Sequence, residues 1–572
     1  MRRTRFEIIG LFACAAIGAV GVAPLSAEEA PGFAPLTLAA STNFNQTETP
    51  GLVEAAIALG VDDLRDGMYW KLIEQSEGAY TFDLPTTAYP AALGEAGIGL
   101  SVTVNWGNPL YDEGFTPHSA EAIAAHGRYI AALIERFPAI HTIEVGNEFN
   151  GDNFVSGPVR GTDIEGRAAA HVAILKSVHA AAKSANRPIK VLGGAAHSIP
   201  AGYLWSVLDQ GGAEAMDALV IHPYTTRPED LAKEIAVLRR HPKARALPLE
   251  VTEFGWTDPH SADAYLIKMV AVMAISGVER AAWYALNKRG DRHIPLMNDS
   301  GEPTAAGRAF AFAEQVLAGR QAEDVSPDPY THAVRFGETA LVLWGEPRDV
   351  SVADGVRVYD ARGDELSDEG LRLADDAPII LVGRQPIVLG QSVELAPHNV
   401  LADSAFDFAY PNGVADPPEG AIERFIRINR ADEEAFQTMP GQERAGTIWT
   451  PYLSRDTLFP LRLTATSVVA RAGPETPRIV QRYRAKRSGP ANLVVELSPS
   501  ARSTDGMVAT IWRNNVILAS ETVTEPFRFA KRLDLRAGDT VELEIGAGPT
   551  DLGDVANYRF RLTAVDPHSD RM

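Results

Sequence analysis

Between residues 36 and 320, short apolar runs alternate with longer stretches whose apolar residues recur every three to four positions. The runs at 36–41, 61–65, 98–104, 142–146, 189–193, 218–221, 248–252 and 281–286 predict strands. The stretches at 52–59, 120–137, 167–185, 230–240, 261–275 and 305–317 predict amphipathic helices. Strand–helix alternation implies a parallel sheet with right-handed crossovers. Eight repeats over this length fit an α/β fold of the (β/α)₈ TIM-barrel type, assigned to 36–320. The Gly-rich turn of a doubly wound nucleotide-binding sheet is missing after the first strand.

Beyond Arg320 the periodicity changes to two. Short strands and turns over 321–388 predict a small β-domain packed on the barrel. The segment 389–459 is expected to be a linker or irregular, with turn chemistry at Tyr410-Pro411-Asn412-Gly413 and Asp416-Pro417-Pro418. From 460 to 572, strict alternation, as in Val541-Glu542-Leu543-Glu544-Ile545, predicts a jelly-roll-like β-sandwich. Its Trp512 and Tyr483 are candidate sugar platforms or core aromatics, which would make the domain a carbohydrate-binding module. Asp551 and Asp554 are expected to be an ordinary acidic loop.

The first 27 residues read as a cleavable export signal. Arg2, Arg3 and Arg5 precede an apolar run that ends near Leu25-Ser26-Ala27. A secreted or periplasmic location follows. Cys14, the only cysteine, falls inside that signal, which excludes disulfides and thiol chemistry from the mature chain. The net charge of −21 disfavours nucleic acid and anionic membrane surfaces. No integral membrane partner is expected, and a neutral or weakly charged polysaccharide or oligosaccharide fits the charge best.

Two of the predicted strands end on glutamates: Thr142-Ile143-Glu144-Val145-Gly146-Asn147-Glu148 and Leu249-Glu250-Val251-Thr252-Glu253. As strands four and seven of a barrel, they would carry Glu148 and Glu253 to the C-terminal rim, where barrel active sites lie. Paired carboxyls there suit glycoside cleavage. One protonates the leaving oxygen and the other attacks the anomeric carbon from the opposite face. Glu144 faces away from Glu148 by strand parity and Glu250 sits at a strand start, so both are read as structural. No His-x-x-x-His pair marks a metal site, so neither metal nor cofactor is expected.

The segment 41–320 resembles the clan A glycoside hydrolases. Asn147-Glu148 is similar to that clan's Asn-Glu pair, and Thr252-Glu253-Phe254-Gly255-Trp256 to its strand-seven motif. Leu64-Arg65-Asp66, Trp70-Lys71-Leu72-Ile73-Glu74 with Gly78-Ala79-Tyr80-Thr81-Phe82, and His222-Pro223-Tyr224 complete the resemblance. It lies nearest to family 39 and related exopolysaccharide-cleaving glycosidases. The resemblance implies a retaining hydrolase of β-linked glycans, with Glu148 as acid/base and Glu253 as nucleophile. It also implies that Asn147 binds the sugar 2-hydroxyl, Arg65 supports the nucleophile, His222 and Tyr224 line the site, and Trp283 floors it. Asn105 and Trp106, after the third strand, are further substrate-binding candidates, while Trp256 and Tyr284 are placed behind them. Gly146 and Phe149 stand where relatives carry Trp and Pro, a departure expected to reshape the cleft beside Glu148. Two alternatives stay open: a transglycosylase using the same intermediate, and a noncatalytic carbohydrate-binding matrix protein.

Overall fold

The computed structural model describes residues 33–47, 51–412, 420–429 and 432–565. The expected export signal with Cys14, and most of the Pro-rich turn at 413–419, lie outside them. No helix among the described residues is long and apolar enough to cross a membrane.

Eight parallel strands close into a barrel: β1 (Thr37–Ser41), β2 (Asp63–Gly67), β3 (Gly99–Val104), β4 (Ile140–Val145), β5 (Lys190–His197), β6 (Ala218–His222), β7 (Leu249–Phe254) and β8 (Val278–Trp283). All eight predicted strands are present. The last begins three residues earlier than expected because Arg280 is buried inside the barrel, where it donates to Asp63 at 2.8 Å. The helix expected at 167–185 is Ile164–Lys183. Asp163 starts it by accepting from the Gly166 amide, an N-cap that the periodicity alone does not reveal. Ser119 and Thr304 cap Ala120–Arg136 and Ala305–Val316 in the same way. The helices Pro85–Glu95 and Ala201–Val207 were not predicted. The first is short, carries Pro90 inside and has almost no apolar face.

The small β-domain is a six-stranded sheet built from Ala322–Asp324 to Ile379–Gly383. Phe336 and Trp344 bury one of its faces in the barrel's own hydrophobic cluster. The segment 389–459 is not a linker. Val400–Asp403 pairs with Val555–Ala564, and Ile422–Ile428 pairs with Arg478–Arg484. The sandwich therefore begins near residue 400. Its early strands are short and separated by turn residues, which disguised them. Its two sheets enclose an apolar core that includes Tyr483, so that residue offers no platform, whereas Trp512 is half-buried. In the acidic loop, Asp554 accepts from Ser503 and Asp551 from the Ala472 amide, tying neighbouring turns together.

Candidate active site

The barrel interior beneath its C-terminal rim is polar, and one cation organises it. Arg65, near the end of β2, is buried. Its Nε and Nη2 grip both oxygens of Glu144 at 2.6 and 3.0 Å, its Nη1 donates to Glu253 Oε1 at 2.5 Å, and its Nη2 reaches Asn147 Oδ1 at 2.9 Å. The fork geometry of a guanidinium allows this; a lysine could not make the same set of bonds. Glu144 is therefore not turned away. It points into the barrel, accepts also from Thr103 and Thr252, and holds Arg65 in place. Glu144 and Glu148 are four residues apart, an even spacing that strand alternation puts on one face, so the expectation that parity separates them is overturned. Glu250 sits lower in the barrel beside Lys190, at 2.6 Å, as structural as expected.

Thr252 and Glu253, although adjacent, both reach the site. β7 gains one residue against β8 between the pairs Val251–Ala281 and Phe254–Trp283, and this bulge turns two consecutive side chains inward. Glu253 then has both oxygens held, Oε1 by Arg65 and Oε2 by the Tyr224 hydroxyl at 2.8 Å. Burial alone would raise its pKa. The charges of Arg65 and His222 and the bond from Tyr224 more than offset that, and its carboxyl is held below the ordinary value.

Glu148 follows β4 through Gly146 (φ 82°) and itself adopts φ 43°, an uncommon conformation for glutamate. The Phe149 amide donating to Ala195 O and the Gly151 amide donating to Glu148 O fix this turn. A carboxylate oxygen of Glu148, one of Glu253 and a ring nitrogen of His222 all lie within 4.8 Å of one another. His222 is fully buried. Thr252 gives its hydroxyl proton to Glu144, so its oxygen accepts from His222 Nε2 at 2.9 Å. The other ring nitrogen stands 3.5 Å from Glu148 and 3.7 Å from Glu253. Burial opposes a charged imidazole, yet Glu253, Glu144 and Glu148 together push its pKa up to about 9. Among the described residues this trio is the one His/Asp/Glu group close enough to share a cation. Arg65 and His222 already supply positive charge to both carboxyls.

The remaining predicted residues separate. Asn147, Tyr224 and Trp106 stand at the rim; Trp106 is half-buried, 4.3 Å from the ring of Tyr69. Asn105 is a positioning residue, because its Oδ1 accepts from the Asn147 amide and its Nδ2 donates to Phe154 O. Trp283 does not floor the site. Arg280 faces inward, so alternation turns Ala282 inward and Trp283 outward, where it is fully buried against Phe254 and Tyr265. Tyr284 comes inward instead, 6.3 Å from Tyr224; burial raises its pKa, and the nearby charge of Glu253 adds to that. Trp256 stacks on Tyr265, behind the site. Phe149 does not reshape the cleft either. It is buried against His171 and fills, with it, the space a side chain at Gly146 would need. The motif from Trp70 to Phe82 locks a loop: Glu74 accepts from Trp70, the Gly78 amide and Tyr111.

Sequence reading did not include His197, at the end of β5, or Trp449, which arrives from the sandwich and meets the His197 ring at 5.5 Å. Nothing local in the sequence links residues 252 positions apart.

No protein-family model and no curated protein matches the chain. Solved structures do. A family 39 glycoside hydrolase from Bacteroides cellulosilyticus WH2 is 19% identical, over 61% of this chain and 81% of its own, with a TM-score of 0.50. A family 30 endoxylanase from Clostridium papyrosolvens C71 is 14% identical over 62% and 98%, TM-score 0.47. A family 39 β-xylosidase from Caulobacter crescentus is 15% identical over 61% and 96%, TM-score 0.44. The first of these shares its (β/α)₈ fold with this chain.

Proposed function

We propose that this chain is a retaining glycoside hydrolase acting on β-linked, neutral or weakly charged poly- or oligosaccharide outside the cytoplasm. The observation that carries the reading is the approach of Glu148 and Glu253 to within 4.8 Å, oxygen to oxygen. Retaining enzymes hold their carboxyls about 5–5.5 Å apart, whereas inverting ones leave about 6.5–9.5 Å for a water.

The surroundings of the two carboxyls divide the work. Glu253, ionised and held at both oxygens, attacks the anomeric carbon. Glu148 donates its proton to the glycosidic oxygen, which departs as the hydroxyl of the leaving sugar. A water then gives a proton to the Glu148 carboxylate and attacks the same carbon, and Glu253 departs with its electron pair. Asn147, its Oδ1 engaged by Arg65, keeps its amide nitrogen to donate to a sugar hydroxyl.

The test is a glycan panel of xylan, cellulose, mannan and β-1,3-glucan oligomers, with product anomers read by proton NMR. The reading expects the β-anomer first from at least one glycan. An α-anomer first, or no product from any glycan, would overturn it.

A further inference from the structure

We propose that the sandwich completes the substrate cleft: the leaving-group portion of the saccharide binds a pocket between barrel and sandwich, with Trp449 as its platform. This deepens the glycosidase reading and rests on it.

The loop that carries Trp449 is fastened to the barrel rim beside Glu148. Gln442 and Asn150 form a reciprocal pair: Asn150 Nδ2 donates to Gln442 Oε1 at 2.8 Å, and Gln442 Nε2 donates to Asn150 O at 2.9 Å. Both residues are buried. The amides of Ala201 and Gly202 donate to the carbonyls of Pro440 and Gly441. Trp449 thereby rests on Gly151, three residues after Glu148, and on the edge of His197. It nevertheless remains partly exposed. In the chemistry above, whatever lies past the acid/base is the leaving group, so a ring fixed there meets the departing sugar units.

Behind Trp449 opens a cavity of about 480 Å³, within the range of small-ligand sites. His197 belongs both to this cavity and to the surroundings of Glu148 and Glu253. The lining is rich in hydroxyls, including Thr225, Thr447 and Ser467, with Trp449 and Tyr410 as the aromatics. Arg227 donates twice to Asp230, and burial pushes the Glu234 carboxyl up to about 8, which favours its uncharged form. Hydroxyl donors and acceptors with an aromatic face, and a lining whose one arginine is already paired with Asp230, describe a receptor for an uncharged sugar, not for a phosphate or a uronate.

Full-length Glu253→Gln, with and without Trp449→Ala or Trp449→Phe, is titrated calorimetrically with xylohexaose, cellohexaose, mannohexaose and laminarihexaose. Hydrogen exchange read by mass spectrometry follows residues 441–450. The expected result is binding of at least one hexaose, protection of 441–450 on binding, tenfold or greater weakening by Trp449→Ala, and recovery with Trp449→Phe. A bound hexaose that leaves 441–450 unprotected overturns the proposal. So does an affinity indifferent to Trp449→Ala, or no binding of any hexaose. Thermal unfolding of each variant separates lost binding from lost folding, since protection in the Trp449-containing protein is read independently of them. Reducing-sugar release by the unmodified chain on the same four probes reports the glycosidase reading separately.

Discussion

Arg65 places one guanidinium nitrogen 2.5 Å from Glu253 and spends the opposite edge of the same group on Glu144. Charge and orientation of the proposed nucleophile are thus set by a residue 188 positions away, which is itself held by a third strand. Glu144→Gln keeps the shape and removes the anion. It is predicted to lower kcat by about tenfold to a hundredfold and to cost about 3 kcal/mol of stability, because a buried cation loses a partner. Steady-state kinetics with denaturant unfolding checks both; unchanged values would show that Glu144 does not position Arg65.

Tyr224 donates to the other oxygen of Glu253. Tyr224→Phe deletes that bond to a charged acceptor, and kcat is predicted to fall about tenfold or more. The bond holds the pKa of Glu253 down, so its loss moves the acid limb of the pH–rate profile to higher pH. An acid limb that stays in place would contradict this.

His222 is predicted to tie stability to alkaline pH. Its folded pKa is raised from 6.5 to about 9, so the protonated form stabilises the fold fully below pH 6.5, and that contribution is lost as pH rises through about 9. The stability difference between the unmodified protein and His222→Gln should shrink across this window in denaturant titrations. A difference constant from pH 6.5 to 9 would mean that the imidazole is neutral throughout.

Trp283 and Tyr284 exchange the roles that resemblance alone implies. Trp283→Ala is predicted to cost about 3–5 kcal/mol through the cavity it leaves. Tyr284→Ala should leave stability nearly unchanged and raise KM several-fold. Unfolding and kinetics on the two variants decide it, and the reverse pattern would restore Trp283 as the sugar floor.

Legibility of this chain in its sequence followed the range of the forces involved. Strand periodicity is local, so all eight barrel strands could be read, and with them the rim positions of Glu148 and Glu253. Glu144 shares the parity of Glu148, four residues on, so alternation read correctly would have put both on one side, but that this side is the inside of a closed barrel is visible only once the barrel is built. The bulge that brings Thr252 and Glu253 inward together is a register event between β7 and β8 and leaves no mark in either strand alone. For β8, alternation counted from buried Arg280 does distinguish Trp283 from Tyr284, and there the sequence held a signal that family resemblance obscured. The strands at 400–403 and 422–428 are stabilised by partners 158 to 163 and 51 to 61 residues onward, which no local pattern announces.

The central claim is a covalent glycosyl bond to Glu253, and trapping it is the most direct test. The unmodified protein is incubated with 2,4-dinitrophenyl 2-deoxy-2-fluoro-β-glycosides of xylose, glucose and mannose, digested and sequenced by mass spectrometry. The account predicts a single added glycosyl group on the peptide containing Glu253, absent in Glu253→Gln. A glycosyl group on any other residue, or turnover of natural glycan with Glu253 never labelled, would contradict it.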